Sequence, residues 1–497
     1  MKDRKETLMI NNFIIIAGIL VIIISFTLMP SSLLPTTVHA QVGLDPTHIE
    51  SVTSTYDALL KAPMIISQAA IVGGVFNHVF LHRVLRSRIQ PNYQNNMPVD
   101  SSSSSLQPLK RLFILLVTCS LTILVTASSL IYLQTISMSS ELGLDVSTTF
   151  AILTSTSVGP VWILRIITSS IIVISSILYY ILEKKKIKRT KEEEHHTYSK
   201  QKKRNLNLHI VLLYVIILSG AISVFSNSVV SHSAALSFLP SLAISINWLH
   251  FMAVSIWVGG VFYISVILLV TIRSIVNVTE PVNQRYETNK IRNTYFLAVL
   301  LPYFSLIATI SLGMIGVTGL YMAWIHLHTA GALFDTMYGN VLIIKLSAIL
   351  PMIILGGYHQ FRLHDSLVLV AKIGKGGKKS NDNKRSSAAT TSSGSNLLQA
   401  DPFAKFSKTI KIESFIGIGI LFITSFLTIT SPPTVSMAEN SNLNGSTTTT
   451  ENEMPSFDAF AILAIILSGV VLTGSIVSFV RSKREIKKTL DSLQANH

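Results

Sequence analysis

Eight histidines lie where apolar runs begin or end, and their positions sort them into two groups. His232, His250, His326 and His328 fall at one end of their runs, and His78, His82, His359 and His364 at or near the other. A neutral imidazole offers a nitrogen lone pair, so histidines that converge are candidate ligands for a transition-metal ion. His78 and His82 are spaced i, i+4, as are Met322 and His326, which aims both side chains from one helix face. Between the groups stand Met314 and Met352, thioethers of the kind that suits a soft monovalent ion. The single cysteine, Cys119, can form neither an intrachain disulfide nor a CxxC site, so a metal is left to His, Met and carboxylate. At a rise of ~1.5 Å per residue, His250 lies roughly 5 Å below the boundary of its apolar run and His78 about 22 Å below it. The two groups therefore belong to different sites. Each residue also has a plainer role, as a hydrogen-bonded residue at a helix end or as core filler. Gly313, Gly316 and Gly319 read as a packing series without chemistry.

The elements that must hold these residues are membrane helices. Of 497 residues, 49% are hydrophobic and only 13% charged, and the mean hydropathy is +0.52, far more apolar sequence than a water-soluble core needs. The fold class expected is all-α, a polytopic transmembrane bundle of about ten spans. They fall near 12–29, 63–82, 112–134, 161–182, 208–230, 247–272, 296–325, 341–361, 412–431 and 457–480. The net charge of +15 does not point to nucleic acid, because alternate loops hold 37 of the 40 Lys and Arg, which reports topology and contact with anionic lipid. Both termini are read as cytoplasmic in a multi-pass cell-membrane protein.

Residues 1–40 read as an N-terminal anchor or a signal peptide. Lys2, Arg4 and Lys5 precede the apolar run, and Val38-His39-Ala40 is a candidate cleavage site that would leave nine spans. The length of the run and the distance to that site favour an uncleaved anchor. The charged stretch from Glu183 to Arg204 and the loop at 372–395 read as solvated, disordered cytoplasmic linkers. Residues 434–497 read as an outer Thr-rich loop with a sequon at Asn444, a final span and a basic tail.

One helix organises the rest. In Ile246 to Phe262, His250 and Trp257 share a face, and Gly259 and Gly260 open a notch where a second helix can approach. Val72-Gly73-Gly74-Val75-Phe76 recurs as Val258-Gly259-Gly260-Val261-Phe262, and Thr156, Gly159, Val161 and Arg165 match Thr336, Gly339, Val341 and Lys345. The matched segments lie four apart, so the expected architecture is two parallel four-helix repeats, at 63–230 and 231–433. Arg165 and Lys345 are costly in a bilayer. They are expected to snorkel to the headgroups, or to meet an anion such as Asp335 or a haem propionate.

His250 with Trp257-Val258-Gly259-Gly260, together with Ser231-His232-Ser233-Ala234-Ala235, Gly316-Val317-Thr318-Gly319-Leu320, Thr336-Met337-Tyr338-Gly339 and Lys345, resembles the copper resistance protein D (CopD) family. The resemblance runs from roughly Val72 to Pro433. It implies a membrane protein that moves copper, supplied by a separate CopC-like outer protein, since 41–61 is too short to be a fused copper-binding domain. On this reading His232, His250, His326 and His328 capture the ion, Met314 and Met352 pass it, and His78, His82 and His359 release it, without enzymatic chemistry. Two alternatives stand beside it: a haem-bearing membrane oxidoreductase, and a copper sensor or oxidase-assembly partner.

Overall fold

The computed structural model describes residues 50–84, 106–156, 159–192, 200–234, 239–274, 282–327, 329–376, 401–433 and 459–494. The expected span at 12–29, the loop from 377, the sequon and His328 lie outside the described residues, as does the side chain of His82. Described residues are helical or in short connections. The helices are α1 Glu50–Val84, α2 Leu106–Leu142, α3 Val146–Ser155, α4 Gly159–Glu192, α5 Lys200–Val229, α6 Pro240–Tyr263, α7 Leu269–Ser274, α8 Val282–Leu327, α9 Ala332–Asp335, α10 Met337–Tyr358, α11 His364–Gly376, α12 Pro402–Leu427 and α13 Ala459–Gln494. Among the described residues nine helices are long and apolar enough to cross a membrane, and they match the last nine expected segments. The protein is an all-α polytopic bundle.

Two of these spans are continued through π-turns, Ile264–Leu268 between α6 and α7 and His359–Leu363 between α10 and α11. A π-turn re-aims the side chains beyond it and is frequent at functional sites. The apolar helices also carry many hydroxyls, most of those with a hydrogen bond donating within their own helix; Thr126 and Thr168, for example, each donate to a carbonyl one turn back, whereas the hydroxyls of Ser120, Ser169 and Ser228 are buried without a partner. Parts of the charged stretch from 183 to 204 are helical, because α4 continues to Glu192 and α5 starts at Lys200. Lys, Glu and Arg are good helix formers, so charge alone does not end a helix that a membrane span has already nucleated.

The centre of the bundle is the crossing of α1 and α6. A Cβ on Gly73 would overlap the Ser255 carbonyl oxygen and lie 2.7 Å from the Gly259 Cα; one on Gly259 would overlap the Ala69 carbonyl oxygen and lie 3.0 Å from the Gly73 Cα. The two Val-Gly-Gly-Val-Phe stretches are thus each other's partner. The helix expected at the glycine notch is the earlier copy of the same motif. Asn77 ties the crossing, donating to the Gly73 carbonyl at 2.8 Å and the Ile256 carbonyl at 3.1 Å. Gly220 of α5 sits against Val72 of α1, as Gly417 of α12 sits against Val258 of α6. α10 and α13 lie at the periphery and leave most of their length uncovered.

Arg165 corrects an expectation. Rather than snorkelling, it is 2% exposed and donates to Ser226 Oγ at 2.8 Å, the Ser226 carbonyl at 3.3 Å and Asn227 Oδ1 at 3.0 Å, with no ion pair among the described residues. Its guanidinium also lies over the Trp162 ring at 4.4 Å. Asn227 in turn donates to Gln68 Oε1 at 2.6 Å, and Gln68 to Ser223, so one chain of polar groups joins α1, α4 and α5. A fork of donors met by neutral oxygens satisfies the guanidinium without an ion pair.

Candidate functional site

At the end of the bundle opposite the basic loops, His232 and His326 approach closely enough to bear on each other electrostatically. His232 sits in a 3-10 turn, His232–Ala234, and His326 in the last turn of α8. The His232 Nε2 is buried without a partner. Burial, and secondarily Lys61, lowers the His232 pKa, which keeps the ring in the neutral form that can bind a metal. His326 is 2% exposed; its Nε2 stands 3.5 Å from Ser233 Oγ, its ring meets Tyr338 edge-on, and its Nδ1 has no partner. Asn247 donates to Ser231 Oγ at 2.8 Å and leaves its own Oδ1 buried without a donor. Three buried acceptor-capable atoms therefore lack a partner at this end, each at a free-energy cost that a bound cation or its water would remove.

His250 does not join them. Its expected place is the first turn of a span starting at 247, but α6 begins at Pro240, so His250 is ten residues in, about 15 Å along the axis. It meets α8 at Thr318 and Gly319, roughly 10 Å from the level of His326. Its Nδ1 is 3.0 Å from Thr318 Oγ1, and that hydroxyl already donates to the Met314 carbonyl. The imidazole is therefore the donor, and its Nε2 carries the lone pair. Gly319 makes the room: a Cβ there would stand 3.1 Å from His250 Cε1. The glycine series is thus divided, with Gly313 and Gly316 receiving Ser475 and Val471 of α13 while Gly319 seats an imidazole. Lys345 of α10 bears electrostatically on His250. No ion pair joins it to Asp335 among the described residues.

Lys345, Met352 and His359 are spaced i, i+7, i+14, so they share one face of α10 at steps of about 10 Å. Met352 is fully buried, with its thioether against Gly417 of α12. Met314 is 39% exposed on the outside of the bundle, so the two methionines are not brought together. At the π-turn, His359 Nε2 donates to Thr409 Oγ1 at 2.7 Å, because that hydroxyl donates to backbone carbonyls. Its Nδ1 faces Glu413 Oε2 at 3.1 Å, without the alignment of a hydrogen bond; the side chains are 5% and 2% exposed. A ring nitrogen and a carboxylate oxygen this close, on side chains this buried, are a pair that could hold a cation. Glu413 was not among the expected residues. Its signal in the sequence is a lone acid in an otherwise apolar span, which needs a partner.

The remaining histidines make separate contacts. His78 Nδ1 is 3.1 Å from the Tyr263 hydroxyl, and its ring meets that tyrosine edge-on. His209 of α5 pairs with Glu183 of α4 at 3.1 Å.

Residues 298–427 match the family model of copper resistance protein D, across α8, α10, α11 and α12. No curated protein and no solved structure matches the chain.

Proposed function

We propose that this membrane bundle, which carries a copper resistance protein D (CopD) domain over residues 298–427, moves copper ions along the seam between α6, α8, α10 and α12. His232 and His326 take the ion first, with the Asn247 amide oxygen beside them. The next lone pair is Nε2 of His250, then the Met352 thioether, then the His359 and Glu413 pair. Weak ligands at intervals of about 10 Å suit passage, since a conducted ion must enter each site and leave it. The observation that carries the reading is the pair of buried, unpartnered ring nitrogens on His232 and His326. The parallel packing of the two Val-Gly-Gly-Val-Phe stretches supports a duplicated four-helix unit as its scaffold. Orientation with the basic loops in the cytoplasm makes the His232 end the outer one, where a separate CopC-like protein would deliver copper.

Radiocopper flux and binding in vesicles test the path. His232→Ala and His326→Ala are expected to abolish saturable capture without loss of membrane insertion. Variants that insert normally and move copper like the parent would refute the reading. Lys345 beside His250 favours a second one, in which an anionic ligand such as a haem propionate meets the cation; a Soret band in the purified protein would select it.

A further inference from the structure

The last helix lies outside the residues matched to the CopD family, yet it is stitched to them near the basic end of the bundle. Gln360 of the second π-turn donates to Ser482 Oγ at 3.0 Å and Ser478 Oγ at 3.3 Å, and the Arg481 guanidinium covers the Phe361 ring at 4.3 Å. One turn further along α13 stands Glu485. A ring nitrogen of His364 and carboxylate oxygens of Asp365 and Glu485 there lie within 4.8 Å of one another.

A second feature distinguishes this cluster from a chance meeting of surface acids. His364 is 4% exposed, and its Nε2 is buried with no partner. A buried imidazole nitrogen left unpartnered beside two carboxylates is a ready metal ligand. Two ligands on one ion stand at most about 4.2 Å apart, twice a bond of about 2.1 Å. Small side-chain rotations close the difference. Lys488 is the competing cation, 3.7 Å from Glu485, but its side chain is 75% exposed and such surface pairs are weak.

We propose that His364, Asp365 and Glu485 form a divalent-cation site that joins the last helix to the CopD domain. One imidazole and two carboxylates, with no thiolate or thioether, select borderline or hard divalent ions such as Zn2+, Mn2+ or Cu2+ over monovalent copper. Three protein ligands leave a further position for water. The site is distinct from the transport seam and does not depend on it.

Chelator-stripped, full-length protein in detergent is titrated with Zn2+, and bound metal is measured by equilibrium dialysis. The parent is expected to bind an equivalent that Glu485→Gln and His364→Gln each weaken by roughly tenfold or more, and that His232→Ala retains. Glu485→Gln is an isosteric change at a partly exposed side chain, so its fold survives even if His364→Gln misfolds. A parent that binds no such equivalent, or an equivalent that Glu485→Gln leaves intact, would overturn the site. Loss of copper flux in His232→Ala with Zn2+ binding intact separates this result from the transport reading.

Discussion

The crossing of α1 and α6 offers the sharpest test of how this bundle is built. In Gly259→Ala the new methyl overlaps the Ala69 carbonyl oxygen and stands 3.0 Å from both the Ala69 carbonyl carbon and the Gly73 Cα. Carbon atoms rest at about 3.5–4.0 Å and the overlap with the carbonyl oxygen is deeper still, so the helices must part by roughly 1 Å or more. Backbone is all that lies in the way, and no rotamer change relieves the clash. Overpacking of this kind costs about 1–3 kcal/mol, against which alanine returns up to about 1 kcal/mol of helix propensity. Gly419→Ala is the control, because a Cβ at Gly419 meets nothing within 4 Å and only the propensity gain remains. Gly259→Ala and Gly73→Ala should each fall about 2 kcal/mol below Gly419→Ala in equilibrium unfolding, followed by the fluorescence of Trp248 and Trp257 on α6. One separation relieves both clashes, so the double variant should cost less than the sum of the singles by on the order of 1 kcal/mol. Copper flux should fall with stability, because the same helix carries His250. Equal stability of the Gly73, Gly259 and Gly419 variants would refute the close crossing.

Glu413→Gln removes the buried carboxylate charge beside His359, and on the proposed path copper flux should drop by roughly tenfold or more, with the Glu413→Gln, His359→Gln double variant no worse than either single; additive losses would separate the two residues. Met352→Leu should slow flux while Met314→Leu, at an exposed position, should not, and the reverse order would remove the thioether from the path. His232 is held neutral below the ordinary imidazole value of about 6.5. Copper capture should therefore persist through that pH on acidification and weaken only below it, whereas a midpoint at or above 6.5 would describe an exposed imidazole.

The spans were legible in the sequence because crossing a bilayer is a local property. Some twenty apolar residues with satisfied backbone suffice, and the nine described helices match the last nine expected segments. The glycine notch was legible as well, since only small residues allow two backbones to meet. What the notch would meet was not, because Gly73 and Gly259 are distant in the chain and their contact depends on how α1 and α6 cross. The site followed the same division. Residue type nominated His232, His250, His326 and His359, but their grouping is set by where helices begin and how they stack. The ten positions from Pro240 to His250 are enough to move His250 out of the outer cluster. Glu413, Asn247 and Thr318 complete the seam from other helices, and Arg165 finds its oxygens on α5. Partners of buried polar groups lie across helix interfaces, so the chain's local pattern states that each needs one and only the tertiary packing supplies it.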